Sequence, residues 1–200
     1  MIKNYIFDCG RVLVKYEPKE LTAACVQGAE AEKIRKIAFD RLYWDRLDDG
    51  SMTEADIKEA IRDRLSEEEY PLACDVIDGW IKNLTPVPAM LDLVKDVKAK
   101  GGKVYLLSNI SKGFAATWPE NAYLKELFSY FDGLVCSGPI GITKPHREIF
   151  EYLLSTYQLK AEECIFIDDA PINIEGAANC GIQGYVFDGD AQKLREFLKI

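Results

Sequence analysis

The sequence predicts an α/β protein: a parallel sheet covered by helices on both faces, interrupted near its start by an all-helical insertion. Three observations carry this. From Pro88 onward, short apolar runs alternate with stretches whose apolar residues recur at helical spacing. The interval 15–85 shows helical periodicity and no strand signal. The chain changes character after Val14 and again around Thr85-Pro86-Val87-Pro88, which places a core at 1–14 and 86–200 and an insertion at 15–85.

In order, "YIFD" reads as a buried strand delivering Asp8 to its tip, and Gly10 just beyond permits a sharp backbone departure. Within the insertion, Ile57, Ala60, Ile61 and Leu65 recur at helix spacing, and Ser51 with Glu54 behind Gly50 suggests a capping box. A helix with Leu91, Val94 and Val97 inward then stops at Gly101-Gly102, before the strand "KVYLLS". "GLVCS" precedes a helix with Ile149, Phe150, Leu153 and Leu154 inward. "CIFID", a short helix closed by Gly181, "GYVF" and a terminal helix complete the alternation.

Two hundred residues with 48% hydrophobic content suffice for a sizeable core. The net charge of −8 and the lack of a Lys/Arg cluster argue against nucleic-acid or anionic-membrane surfaces and favour a small-molecule partner. Cys9, Cys25, Cys74, Cys136, Cys164 and Cys180 are scattered without a CxxC pair, and His146 is the one histidine, so no zinc spacing exists. They read as buried free thiols. With neither a leader nor a membrane span in view, a cytoplasmic location is expected. The oligomeric state is not legible.

In a parallel sheet, ligands sit beyond the carboxyl ends of the strands. The polar residues there are Asp8, Ser108-Asn109 and Asp168-Asp169, with Lys144 in the loop "GITKPHREIF". Singly, each has an ordinary reading as a turn residue, a helix cap, a solvated charge or first-turn acids. Together, three carboxylates converging on one crevice would repel unless a cation held them, and magnesium is the simplest answer. Such an ion also neutralises phosphate oxygens, while Lys144 and the Ser108 hydroxyl could hold the rest of a phosphoryl group.

Through "FDCGRVL", "LLSN", "TKP" and "FIDDAPINIEGA", in that order across nearly the whole chain, the sequence resembles the haloacid dehalogenase-like (HAD) superfamily. The resemblance implies a Rossmann-like core with Asp8 as nucleophile forming an aspartyl-phosphate. It also implies Ser108 and Asn109 orienting the phosphoryl group, Lys144 screening charge, and Mg2+ held by Asp8, the Gly10 carbonyl, Asp168 and Asp169. A helical cap inserted after the first motif corresponds to 15–85. "LLSNISKGFAATWPE" and "DDAPINIEGA" are similar to the branch that contains bacterial α-glucose-1-phosphate phosphatases.

One departure matters. Where most phosphatases of this superfamily carry an acid that protonates the leaving oxygen, two residues after the nucleophile, this chain has Gly10. Three readings compete: a phosphatase whose substrate tolerates the loss, an impaired phospho-ligand-binding protein, and a 2-haloacid dehalogenase. The acid pair Asp168-Asp169 disfavours the last, since dehalogenases of the superfamily lack it. A leaving group more acidic than an ordinary alcohol, such as an anomeric sugar oxygen, needs less protonation. The expected activity is therefore Mg2+-dependent hydrolysis of a small phosphomonoester, a sugar phosphate such as a sugar 1-phosphate. In the insertion, Arg41, Tyr43, Trp44 and Arg46 precede Asp48-Asp49-Gly50; Trp44 and Arg46 are expected at the substrate, against a reading in which Tyr43 and Trp44 are core and the arginines solvated. His146 is expected to face solvent.

Overall fold

The structure is a computed structural model that describes all 200 residues. Its strands are β1 (Asn4–Phe7), β2 (Val14–Lys15), β3 (Thr85–Pro86), β4 (Lys103–Ser108), β5 (Gly133–Cys136), β6 (Cys164–Asp168) and β7 (Gln183–Val186). Between β2 and β3 lie helices α1 (Pro18–Ala23), α2 (Ala31–Ala38), α3 (Arg41–Asp48), α4 (Glu54–Ile61) and α5 (Glu69–Gly79). After β3 come α6 (Pro88–Ala99), α7 (Lys112–Thr117), α8 (Ala122–Phe128), α9 (Ser137–Ile140), α10 (Arg147–Thr156), α11 (Pro171–Ala178) and α12 (Ala191–Leu198).

Five strands form one parallel sheet in the order β5-β4-β1-β6-β7, so β1 is central and the chain reverses its direction of travel across the sheet on either side of it. That reversal opens a crevice at the carboxyl end of β1, where ligands of open α/β sheets bind. The period-2 alternation of strand side chains divides the core. Phe7, Leu106 and Ile167 point to one face, under α6, α7, α8 and α12. Ile6, Tyr105, Leu107 and Phe166 point to the other, under α10 and α11. Each such fully buried side chain contributes ~1.5–3 kcal/mol of transfer free energy.

Local signals explain the boundaries. Helix α6 starts on Pro88 and buries Met90, Leu91, Leu93, Val94 and Val97. It stops where Gly101 takes φ 82°, a left-handed conformation that costs glycine little. Helix α4 starts two residues later than the Ser51/Glu54 reading: Thr53 is its N-cap and Asp56 completes the capping box, while the Ser51 N–H donates to Asp49. Helix α4 ends at Ile61 before a 3-10 turn, so Ile57 and Ile61 are its buried contacts, Ala60 is exposed and Leu65 lies beyond it.

The helices of 15–85 have a core of their own, built from Ile34, Ile37, Leu47, Ile57, Ile61, Val76 and neighbours. Leu21, Trp80 and Leu84 from the same interval pack instead into the sheet core. Both passages between sheet and helices run through one small antiparallel ribbon, in which Val14 pairs with Pro86 and Lys15 with Thr85. This ribbon is the strand structure that the sequence did not signal. All six cysteines are free, but only Cys9 and Cys164 are buried and the other four are half-buried. No helix is long and apolar enough to cross a membrane.

Candidate active site

The register brings the acidic residues together. Phe7 pairs with both Leu106 and Ile167, so the residues that follow, Asp8 and Asp168, leave adjacent strands at the same level, and the Asp8 N–H donates to the Ile167 carbonyl at 2.9 Å. Ser108 ends β4 on the other flank. Asp8, Asp168 and Asp169 each offer a carboxylate oxygen within 4.8 Å of the others.

Lys144 is the hub. Its ammonium lies 2.8 Å from Asp8 Oδ1 and 2.7 Å from Asp168 Oδ2, with its side chain 1% exposed. Part of the charge compensation that three carboxylates require therefore comes from the chain itself. Burial alone pulls the lysine toward neutrality, but the Asp8 and Asp168 carboxylates outweigh it and raise its pKa. Asp168 is saturated: Oδ1 accepts from the Ala170 N–H and from Asn173 Nδ2, and Oδ2 from Asn173 Nδ2 and Lys144.

Asp8 behaves differently. Burial raises its pKa to about 6, with the Asp168 charge adding to this and Lys144 and Ser108 opposing it. Asp169 is also raised, by burial first and then by Asp168, against the pull of Arg11, whose guanidinium lies 3.7 Å away. Carboxyls held above their ordinary range by burial and by each other mark a pocket short of positive charge. The donor set fits a magnesium ion: hard oxygen ligands from Asp8 and Asp169, with the saturated Asp168 adding its negative charge beside them, plus the Gly10 carbonyl, which no main-chain hydrogen bond of the turn uses. That turn is closed instead by the Arg11 N–H on Val14 and the Val14 N–H on Cys9, and the left-handed residue is Arg11 (φ 60°) rather than Gly10.

Asn109 stands apart from its expected role. Its Nδ2 donates to the Lys144 carbonyl at 2.9 Å and its Oδ1 accepts the Lys144 N–H at 2.7 Å. Both ends of the amide bond the lysine's main chain, so the side chain positions Lys144 from the lining of the cleft. Ser108, 2% exposed, does line the cleft.

The opposite wall comes from the helical insertion. The cleft, of ≈ 610 Å³, is closed there by Tyr16, Phe39, Trp44 and Trp80 together with helix α3. These rings pack edge to face or tilted at centroid separations of 4.7–6.3 Å. Trp44 is thus both core and lining. On α3, residues 41, 44, 45 and 48 follow the i, i+3, i+4, i+7 spacing of one helix face, and Arg41, Trp44, Asp45 and Asp48 all line the cleft. Arg46 points elsewhere: two residues from Trp44, it lies on another face, exposed and bonded through Nε to Ser51 Oγ at 3.3 Å. The expectation that Arg46 lies at the substrate pocket is therefore corrected; of the two arginines it is Arg41 that lines the cleft. Tyr43 packs under Arg64, outside the cleft, and His146 is exposed at the start of α10.

Sequence reasoning passed over Arg11, Tyr16, Asp48, Trp80 and Asn173. The helical spacing from Arg41 was a signal that could have found Asp48. The Trp80 indole Nε1, buried with no hydrogen-bond partner, was not legible at all.

Three hydrogen bonds seat the turn between α3 and α4 on the core: Ser137 Oγ donates to the Asp48 carbonyl (2.6 Å), Lys112 Nζ to the Gly50 carbonyl (2.7 Å), and Ser111 Oγ to Glu54 Oε1 (2.7 Å). The approach is close enough that a Cβ at Gly50, itself at φ +72°, would collide with the Gly138 carbonyl.

Comparison with known proteins agrees with this geometry. The family model for haloacid dehalogenase-like hydrolases matches residues 2–181. The D-ribitol-5-phosphate phosphatase of Bacteroides thetaiotaomicron is 27% identical over 209 residues, covering 100% of this chain and 98% of its own. A sesquiterpene phosphatase of Aspergillus oryzae is 32% identical over 185 residues, 91% of this chain and 88% of that protein. Among solved structures, a HAD family enzyme of B. thetaiotaomicron in its magnesium complex superposes with a TM-score of 0.74 at 25% identity, covering 98% of each chain. The L-2-haloacid dehalogenase of Xanthobacter autotrophicus shares the fold at TM-score 0.70 and 20% identity, over 100% of this chain and 83% of its own. With a matched family model spanning residues 2–181, nearly its whole length, the chain belongs to the haloacid dehalogenase-like hydrolases.

Proposed function

We propose that this protein is a magnesium-dependent phosphatase of small phosphomonoesters, with sugar phosphates, sugar 1-phosphates among them, as its substrate class. The observation that carries the reading is the arrangement at the end of β1: a carboxylate at the cleft, Asp8, held 2.8 Å from a buried lysine and facing two further acids. Residues 15–85 act as the cap over this site.

In this reading Asp8 attacks phosphorus, the bond to the leaving oxygen breaks, and water later releases phosphate from the aspartyl-phosphate. Lys144 holds Asp8 in line and compensates its charge, Asn109 and Asn173 keep Lys144 and Asp168 in register, and the Ser108 hydroxyl donates to a phosphoryl oxygen. A bound magnesium ion would supply neutralisation of the phosphoryl charge, with Asp8, Gly10 and Asp169 as its direct ligands and Asp168 adding its charge beside them. The aromatic wall excludes water and offers apolar faces to the leaving group.

That wall also supports a second reading, in which the leaving group is a terpenoid alcohol like that named for the Aspergillus relative. The test is phosphate release from sugar 1-phosphates, pentitol 5-phosphates and farnesyl monophosphate, each with Mg2+ or with EDTA, alongside Asp8→Asn. Mg2+-dependent release by the wild type and a loss on the order of 10⁴-fold in Asp8→Asn are expected. Retained turnover in the variant refutes the mechanism. Farnesyl monophosphate outpacing the sugars moves the substrate class.

A further inference from the structure

Resting on the phosphatase reading, we propose that Asp48, from the helical insertion, is the acid that protonates the leaving oxygen in place of the side chain that Gly10 lacks. Four observations converge on it.

The first is the gap at position 10. Lack of space does not explain it, because a Cβ on Gly10 would meet Tyr16 Cβ at 3.5 Å, an ordinary contact. The turn after β1 has no proton to give, yet an alkoxide leaving from phosphorus needs one.

The second is placement. Asp48 lines the same cleft as Asp8 but from the opposite wall, the side from which the cap covers a leaving group. Asp8 and Lys144 line that cleft with it, and both of their charges act on its carboxyl.

The third is availability. Asp8 is paired with Lys144, Asp169 with Arg11 and Asp45 with Arg41, whereas the Asp48 carboxyl alone among the cleft's acids has neither an ion pair nor a hydrogen bond. Its backbone is nevertheless fixed: the Asp48 carbonyl accepts from Ser137 Oγ at 2.6 Å, and the same hydroxyl oxygen accepts the Ile110 N–H at 2.8 Å, tying α3 to the loop that follows Ser108. A pinned main chain with an uncommitted side chain is what a group held for a bound substrate requires.

The fourth is protonation. Burial, then the charges of Asp45 and Asp8, raise its pKa to about 7, against the smaller pull of Lys144 and Arg41. The charged and titratable groups that face it are Asp45 and Arg41 on its own helix, Asp8 after β1, Lys144 before α10, and the Tyr16 phenol, itself pushed up by burial. Lys112 from α7 reaches the Gly50 carbonyl beside it. A carboxyl near neutrality is suited both to give a proton and to take one back.

An Asp8 oxygen forms a bond to phosphorus, and the bond from phosphorus to the leaving oxygen breaks with its electron pair on that oxygen. The oxygen takes the Asp48 proton and departs as a neutral alcohol, leaving an aspartyl-phosphate and an Asp48 carboxylate. This also broadens the substrate range, since a leaving group need not be as acidic as an anomeric oxygen when a proton is supplied.

The experiment compares first-turnover rates of wild type and Asp48→Asn with p-nitrophenyl phosphate, whose leaving group needs no proton, and with an alkyl phosphate such as ribitol 5-phosphate. The loss on the alkyl ester is expected to exceed that on the aryl ester by ~10²–10⁴-fold. The wild-type alkyl rate is expected to fall above about pH 7, a limb absent from the variant. Equal losses on both esters, or none on either, overturn the assignment, because a structural or general binding role does not discriminate leaving groups. Release of phosphate from neither ester by the wild type removes the phosphatase reading itself, and this inference with it.

Discussion

The two walls of the cleft hold their charges in opposite ways. On the sheet side each ionic group is spoken for: Lys144 bridges Asp8 and Asp168, Asn173 and Ala170 fill the remaining lone pairs of Asp168, and Asn109 clamps the lysine's backbone. On the insertion side the wall is aromatic, one indole N–H is unpaired, and one carboxyl has no partner. The sheet wall is preorganised and cannot adapt without stranding a buried charge. The insertion wall keeps polar capacity in reserve for whatever enters. The contrast assigns fixed chemistry to one wall and the choice and departure of the leaving group to the other.

The sharpest way to break this contrast is to remove the sheet wall's hub. Lys144→Met keeps most of the side chain's volume but leaves Asp8 and Asp168 buried without their counter-charge, and should cost about 3–5 kcal/mol of stability. Urea unfolding at pH 7.5 measures it, and added Mg2+ should recover part of the loss. A cost below about 1 kcal/mol would show that the sheet wall is no more rigid than its counterpart.

A smaller effect is expected from Asp169→Asn, because Asp169 is the least saturated of the three acids, half-buried with only Arg11 at 3.7 Å. Its change should weaken the apparent Mg2+ affinity by about 10–100-fold, a range seen when groups supporting a metal are altered. Titration of activity against Mg2+ checks this, and an unchanged midpoint removes Asp169 from the metal site.

The smallest effect tests the insertion wall. Asp48 has a raised pKa, so the folded protein holds its proton more tightly than the unfolded chain. Its contribution to stability is therefore full below its unfolded value, roughly 3.9, and is lost progressively as pH rises to about 7. Asp48→Asn removes this loss. The variant should match wild type near pH 4 and exceed it by about 1–2 kcal/mol above pH 7, a few degrees in Tm, after allowance for water reaching a half-buried group. Parallel Tm curves between pH 4.5 and 8.5 would mean that Asp48 carries no strain.

What the sequence disclosed divides along the same line. Strands such as "KVYLLS" and "CIFID" were legible because burial on both faces demands unbroken apolar runs, and Asp8, Ser108 and Asp168 because strand ends are fixed by register. The side-chain geometry between them was not legible. Nothing in "LLSN" says that both ends of the Asn109 amide grip Lys144, since that depends on a loop 35 residues away. On the insertion wall, one residue of helical phase separates Asp45, which lines the cleft, from Arg46, which bonds to Ser51, and proximity in sequence could not tell them apart.

The β2–β3 ribbon, the packing of Leu21, Trp80 and Leu84 into the sheet core, and the seated turn between α3 and α4 fix the insertion at separate places, and a body so held cannot swing until one lets go. The ribbon carries both chain crossings, so the turn is the one that can release. Parting the Ser137, Lys112 and Ser111 hydrogen bonds forfeits about 2–4 kcal/mol at ordinary net values, a gap that leaves an open form at roughly 0.1–3% of molecules. The traffic of alcohol and phosphate through the cleft is then metered by two serines, a lysine and a glutamate, the side chains that close that clasp. None of them touches a reacting atom.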